Sequence, residues 1–355
     1  MSQTNAEPKV APAKKPIKFL HNIYDRETLE KKVAAEDFER VTISFYRYVH
    51  ISEPEALRSQ LYREWAEFNC LGRIYLAKEG INAQMSIPEA NYKSFLENLE
   101  GHFPQMPIKV AVEENKPSFI KLNVKVKKKI LADGQDDGSY DVSNVGKHLS
   151  AKEFNEAMDQ EGTIVVDIRN AYESEVGHFE NALCPDVDSF SEELPVVKEM
   201  LEGKEDSKIL LYCTGGIRCE KTSAWLKHQG YNDVNQLHGG IIDYVRQVKD
   251  QELECKFIGK NFVFDERLGE RVSDEVIAHC HVCGEASDDQ YNCSWQGCHT
   301  LFVCCPSCHE KQEGCCTPEC QETLKKPEDV KKELLRNPKA PLAAKRNLNR
   351  VAPKK

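Results

Sequence analysis

A doubly wound α/β domain, preceded by a smaller α+β sandwich and followed by a compact cysteine-rich module, is the architecture predicted by the 355-residue sequence. Three observations carry this reading. Strand-like and helix-like segments alternate over residues 144–253 around a buried apolar run, Ile209-Leu210-Leu211-Tyr212. A βαββαβ order precedes them over residues 36–132. Ten of the fifteen cysteines crowd into Cys280–Cys320.

The first stretch, residues 1–18, is rich in Pro, Lys and Ala and reads as a disordered tail. It has lysines but no apolar segment after them, so neither a signal peptide nor an anchor is expected. No apolar run approaches the length of a membrane span. A cytoplasmic protein without membrane partners is therefore expected. The formal charge of −10 hides an asymmetry: residues 324–355 hold eleven Lys/Arg against three Asp/Glu, a net of +8, leaving −18 on the remainder. The segment 323–355 is read as a basic disordered tail, which could hold a polyanion or merely aid solubility.

Within residues 36–132, Val41–Tyr48 is a β-branched and aromatic strand, and Pro54–Phe68 has helical spacing through Leu57, Leu61, Trp65 and Phe68. Gly72–Ala77 and Ile81–Ile87 read as a hairpin turning at Glu79-Gly80. Pro88 opens a second helix, Glu89–Leu99, and Ile108–Val112 and Phe119–Val126 supply further strands. The order fits a ferredoxin-like sandwich. Arg73, Lys78, Lys121, Lys125, Lys127, Lys128 and Lys129, with Tyr46, Tyr48 and Tyr75, could form an RNA-binding face of cations and flat rings. A sheet edge kept soluble by lysine has the same composition.

Asp133–Tyr140 is Gly/Asp-rich and reads as a linker between domains. Ser150 and Glu153 form a capping box that opens a helix, and Thr163–Ile168 is a buried strand ending near Asp167 and Arg169. The core of the chain is KILLYCTGGIRCEKTSAWLKHQG, residues 208–230. A loop, Cys213-Thr214-Gly215-Gly216-Ile217-Arg218, lies between a strand and a helix ended by Gly230. Such a loop turns its N–H groups inward and favours a negative charge at its centre. Cys213 is placed to carry that charge as a thiolate or a persulfide, and Arg218 adds a cation. These two are the candidate catalytic residues. Cys219 is a candidate resolving thiol or a packed helix cysteine, and Asp167 with Arg169 reads as a structural ion pair.

The cysteine array over residues 254–322 runs Cys280-x2-Cys283, Cys293-x4-Cys298, Cys304/Cys305-x2-Cys308 and Cys315/Cys316-x3-Cys320. Thiolate pairs at such spacing grip tetrahedral ions. Two structural zinc ions are expected, one on Cys280, Cys283, Cys305 and Cys308, the other on Cys293, Cys298, Cys316 and Cys320. His281, His299 and His309 stand in reserve, and iron–sulfur ligation uses the same residue types.

Asp167-Ile-Arg169, Tyr172-Glu173, Gly177-His178-Phe179 and Asn181-Ala182 resemble the rhodanese signature. CTGGIR resembles the six-residue rhodanese active-site loop, and LHGGI resembles the family's closing Gly-Gly element. The resemblance implies a rhodanese domain over residues 144–253 and a persulfide at Cys213, since related phosphatases use a longer loop. Beyond that domain, TISFYRY, YLAKEGINAQ, YCTGGIRCEK and GKNFVFDERLGERVSDE, followed by the cysteine array, are similar to the bacterial tRNA uridine hydroxylase family (the TrhO type). That likeness covers roughly Thr42 to Cys320.

The resemblance implies an oxidoreductase with molecular oxygen as co-substrate, forming 5-hydroxyuridine at the wobble position of a tRNA anticodon. An oxygen-activating cofactor is not identified: no Gly-rich dinucleotide fingerprint and no His/carboxylate motif stands out. Cys213 could act as a persulfide, as an oxidised sulfur or as a nucleophile on C6 of uracil. The competing reading is a persulfide sulfurtransferase supplied by a sulfur donor protein. The oligomeric state is not legible.

Overall fold

The computed structural model describes residues 20–111, 117–298 and 300–336. The tail expected at 1–18, the end of the expected strand at Val112, His299, and the expected basic tail from residue 337 onward lie outside the described residues.

The first sheet runs Lys109–Val110, Arg40–Tyr48, Gly80–Pro88, Leu71–Ala77 and Leu122–Val126. Four of these strands follow the order of a ferredoxin-like sandwich. The fifth joins parallel to Leu71–Ala77. Residue alternation decides what each face does. Ile43, Phe45, Ile74, Ile81, Ala83 and Met85 point inward onto Leu61, Trp65, Phe95 and Leu99 of helices Pro54–Glu67 and Glu89–His102. Ser44, Tyr46, Arg73, Tyr75, Asn82 and Gln84 therefore share the opposite face.

Four parallel strands, Lys147–Leu149, Asp233–Leu237, Lys208–Tyr212 and Ile164–Asp167, form the second sheet. Ile209 and Leu211 pack into one apolar cluster, Leu210 and Tyr212 into another on the far side. An unbroken apolar run is what a strand buried on both faces requires. The capping box at Ser150 and Glu153 forms, and Gly230 sits at φ +98° just past helix Ile217–His228.

The segment read as a linker is anchored. Asp133 is 1 % exposed and accepts from Lys129 Nζ at 2.8 Å and Tyr140 Oη at 2.9 Å. The cysteine-rich module is also not a free-standing lobe. Strand Phe257–Phe262 pairs with Gly177–Phe179 of the α/β domain on one edge and Gly269–Arg271 on the other. A Cβ on Gly177 would lie 2.2 Å from the Lys260 carbonyl oxygen, so this pairing needs glycine there. Within the expected tail, Glu328–Arg336 is a helix rather than disordered chain. Pro327 precedes it and Glu328 and Asp329 occupy its first turn, both favourable start signals that the count of lysines obscures.

Candidate active site and metal centres

Cys213 follows directly on strand Lys208–Tyr212, and its side chain is fully buried. The loop turns at Gly216, in the left-handed region at φ +94°, so that the Gly216 N–H donates to Cys213 Sγ at 3.1 Å. Burial pushes the thiol up. It is outweighed by a hydrogen bond from the Cys219 thiol, by the charge of Arg218 and by the N–H groups of Cys219 and Arg218, which hold Cys213 at about 5. At neutral pH the sulfur is a thiolate. Gly240 closes the loop from behind: at φ +69°, a Cβ there would lie 2.5 Å from the Cys213 carbonyl oxygen and 2.7 Å from that of Thr214.

Arg218 is not a free cation at the loop's end. It is buried and holds both oxygens of Glu173, at 2.6 and 2.9 Å, and reaches Thr214 Oγ1 at 3.2 Å. Cys219 is fully buried and its own thiol is pushed up, by burial first and by the Cys213 charge, so it serves as a proton-bearing donor. Asp167 and Arg169 form the structural pair anticipated, with Nε–Oδ1 at 2.8 Å and Nη2–Oδ2 at 2.6 Å, and Tyr212 Oη donating at 2.8 Å.

A cavity of about 450 Å³ lies between this loop and the open face of the N-terminal sheet. Thr214, Gly215, Ile217 and Arg218 form one wall; Ser44, Tyr46, Arg73, Tyr75, Asn82 and Gln84 form the other. Two contacts hold the walls together. Tyr46 Oη donates to Glu220 at 3.1 Å, and Lys221 Nζ sits between Glu79 and Asp133, 3.1 Å from each. Of the expected basic face, Arg73, Lys127 and Lys129 line the cavity. Lys129 is also tied to Asp133 and Asp137, whereas Lys78, Lys121, Lys125 and Lys128 are exposed and outside the lining. Tyr48 is an interface residue, its hydroxyl donating to the Ile217 carbonyl at 3.4 Å.

Sequence reasoning missed Lys109, whose ammonium stands 4.6 Å from the centre of the Tyr46 ring. Burial lowers its pKa while the Cys213 thiolate, Asp243 and Glu220 work against that. It also missed Glu193, fully buried near Arg218 and Cys213 and held well above the usual carboxylate range by burial. Neither residue belongs to a motif. Only the packing of distant elements brings them to the site.

The cysteine array folds into the two expected quartets. The sulfurs of Cys280, Cys283, Cys305 and Cys308 lie within 4.8 Å of one another, as do those of Cys293, Cys298, Cys316 and Cys320. A tetrahedron with arms of about 2.3 Å has edges of about 3.8 Å. Cys283–Cys305 is 3.8 Å, Cys298–Cys316 is 3.5 Å and Cys316–Cys320 is 3.9 Å. Burial pushes the Cys280 thiol up, but N–H groups of Cys305, Cys283 and Val282 outweigh it and hold it at about 6. These groups could hold metal ions, and their chemistry is compatible with zinc. His281 is engaged by Glu175 at 2.6 Å and His309 stacks on Tyr291 at 3.8 Å.

The parallel sheet and the cysteine loop define a rhodanese-domain protein. Residues 150–247 match the rhodanese-like domain family, residues 40–130 the UPF0176 acylphosphatase like domain, and residues 258–321 the family described as rhodanase C-terminal. The chain is 58 % identical over 317 residues to the tRNA uridine(34) hydroxylase of Leptospira interrogans serogroup Icterohaemorrhagiae serovar Lai (strain 56601), covering 89 % of this chain and 86 % of that protein. It is 50 % identical over 304 residues to the tRNA uridine(34) hydroxylase of Escherichia coli (strain SMS-3-5 / SECEC), covering 85 % and 87 %. The chain belongs to the tRNA uridine(34) hydroxylase family. Among the described residues, no helix is long and apolar enough to cross a membrane.

Proposed function

We propose that this chain is a cytoplasmic oxidoreductase that hydroxylates C5 of uridine 34 in the anticodon of tRNA, with molecular oxygen as co-substrate. The overall change replaces C5–H by C5–OH. One oxygen atom enters the base and the other leaves as water, on two electrons and two protons from a reductant. The observation that carries this reading is the cavity: it has a sheet face bearing Tyr46, Tyr75, Arg73 and paired carboxamides on one side and the Cys213 loop on the other. Enzymes that act on a base take it out of its stack into such a pocket. The cations Arg73 and Lys127 at the cavity suit the phosphates of a flipped nucleotide.

Cys213 is the proposed reacting residue. Arg218, through Glu173 and Thr214, positions the loop and favours the charged sulfur. The sulfur itself does not line the cavity, whereas its neighbours Thr214 and Gly215 do. A persulfide would extend the side chain beyond Sγ by one S–S bond of about 2.05 Å. That supports a role in which Cys213 carries a terminal sulfur or oxygen atom, over direct attack of its Sγ on C6. The two cysteine quartets would each hold one zinc ion. Sulfur edges of 3.5–3.9 Å suit a single ion in each. Zinc there would cross-link the module that supplies strand Phe257–Phe262 and, beyond it, Phe264 and Arg267 of the cavity wall.

The test is nucleoside mass spectrometry of tRNA from cells lacking this chain and supplied with the wild type or Cys213→Ser. Restoration of 5-hydroxyuridine by the wild type alone, with ¹⁸O incorporated under ¹⁸O₂, is the expected result. Hydroxylation by Cys213→Ser would remove the cysteine from the reaction. Loss of a thiolated base instead would establish sulfur transfer.

A further inference from the structure

We propose that Asn82 and Gln84 read the uracil edge of the flipped wobble nucleotide, because a single backbone carbonyl locks both carboxamides in one orientation. The inference rests on the cavity being the uridine site argued above. Both residues lie on the central strand Gly80–Pro88, on the open face of the sheet, and both line the cavity. Asn82 stands between Tyr46 and Tyr75 in the strand register, so its amide lies between two tyrosines of the same face. The Tyr46 hydroxyl in turn abuts the Cys213 loop: a Cβ on Gly216 would lie 2.9 Å from it.

A carboxamide can ordinarily turn over and exchange its donor and acceptor ends. Here it cannot do so freely. The Ile130 carbonyl only accepts, and Asn82 Nδ2 donates to it at 3.4 Å. Asn82 Oδ1 must then face Gln84, whose Nε2 donates to it at 3.1 Å. The polarity runs one way along the chain of bonds, and Gln84 Oε1 is left as an acceptor with an N–H donor beside it. Uracil offers the matching pair, the N3–H donor next to the O4 acceptor. Cytosine presents a lone pair at N3 and an amino group at C4, so it would set acceptor against acceptor and donor against donor. The other carboxamide of the lining, Asn170, has its oxygen shut away from solvent and is not available for this reading.

The experiment compares binding of two anticodon stem-loops, identical except for uridine or cytidine at position 34, to the purified full-length, metal-loaded chain. Wild type should bind the uridine form roughly tenfold or more tightly, the scale of one paired base edge. Gln84→Leu should lose that preference, through weaker uridine binding and, with the mismatched amide gone, cytidine binding at least as tight as in the wild type, which also reports that the variant is folded. Asn82→Leu should narrow the preference from the other side, by strengthening cytidine binding, since the freed Gln84 amide can turn over. Equal affinities in a wild type that still hydroxylates uridine 34 in cells would overturn the inference and leave the function standing. A preference unchanged in Gln84→Leu would also overturn it. Failure of the wild type to bind either stem-loop would bring down the function itself, and this inference with it.

Discussion

Arg218 and Glu173 form a bidentate pair, at 2.6 and 2.9 Å, buried beside the cysteine loop. The pair couples the positioning of the loop to its electrostatics. The guanidinium is anchored by one carboxylate and still acts on Cys213 through space, while its desolvation is offset by Glu173. Arg218→Met should strand the Glu173 carboxylate and cost about 3–5 kcal/mol of stability, the usual scale for breaking a buried pair from one side. It should also raise the Cys213 pKa above about 5. Chemical denaturation and a thiolate titration check the two parts separately. A variant with unchanged stability would show that the pair is not coupled to the fold.

Cys219 offers a sharper test of what keeps Cys213 ionised. Its thiol donates to the Cys213 sulfur, so Cys219→Ala should raise the Cys213 pKa while Cys219→Ser, which keeps a donor, should restore most of the shift. The same group makes stability depend on pH. The folded pKa of about 5 lies below the ordinary thiol value of 9.0, so the ionised sulfur favours the folded state. That contribution is fully present above about pH 9 and is lost as pH falls toward 5. The stability of wild type minus that of Cys213→Ser should therefore rise across this window, with metal effects cancelling in the difference. A flat difference would mean that the sulfur is protonated in the folded protein.

The two quartets predict two metal ions per chain. The buried cluster of the module consists of cysteines and Phe302, with Tyr291, Trp295 and Leu324 packed at its edge, so little apolar core remains without metal. Structural zinc contributes an apparent binding free energy of roughly 10–16 kcal/mol at neutral pH. Cys298→Ser should reduce the metal content from two to one. Chelation should expose residues 263–322 to protease before the α/β sheet. Elemental analysis giving no metal, or an iron absorption band, would remove the zinc assignment.

How far the residues themselves disclosed this architecture depends on the range of the interactions. The Cys213 loop, the capping box at Ser150 and the Cys280–Cys283 and Cys305–Cys308 pairs are local patterns whose geometry follows from spacing. The spacing disclosed that the cysteines cluster, but not which pair joins which: the interleaved quartets were one choice among several groupings, and the fold places those sulfurs together. The engagement of Arg218 by Glu173 was not legible, because the strands Gly177–Phe179 and Lys208–Tyr212 and the helix Phe190–Met200 lie between them in the chain. Nor was the cavity: it arises where the sheet face of one domain meets the loop of another, and polar residues such as Asn82 and Gln84 look like ordinary exposed strand positions. Asp133 shows the same limit: the Gly/Asp-rich stretch does lie between the domains matched at residues 40–130 and 150–247, but nothing local signals that its carboxylate is claimed by a distant lysine.

Lys221 is that lysine, and it makes the cavity one unit. It belongs to the helix that follows the Cys213 loop, is 1 % exposed, and reaches Glu79 and Asp133 at 3.1 Å each and the Leu131 carbonyl at 2.9 Å. Its partners lie at the hairpin turn of the N-terminal sheet and in the segment leaving that domain. Lys221→Met should cost about 3 kcal/mol, toward the lower end for a broken buried pair because Lys129 and Tyr140 still satisfy Asp133. The effect should be local as well as global. Amide exchange should quicken at the Glu79-Gly80 turn, and hydroxylation of uridine 34 should fall more than tRNA binding, because the sheet would no longer be held over the cysteine. Lys221→Met with Glu79→Gln should recover part of the stability, since the carboxylate left without its lysine is gone, without recovering activity. Full activity in the single variant would show that the two walls are held together by other contacts.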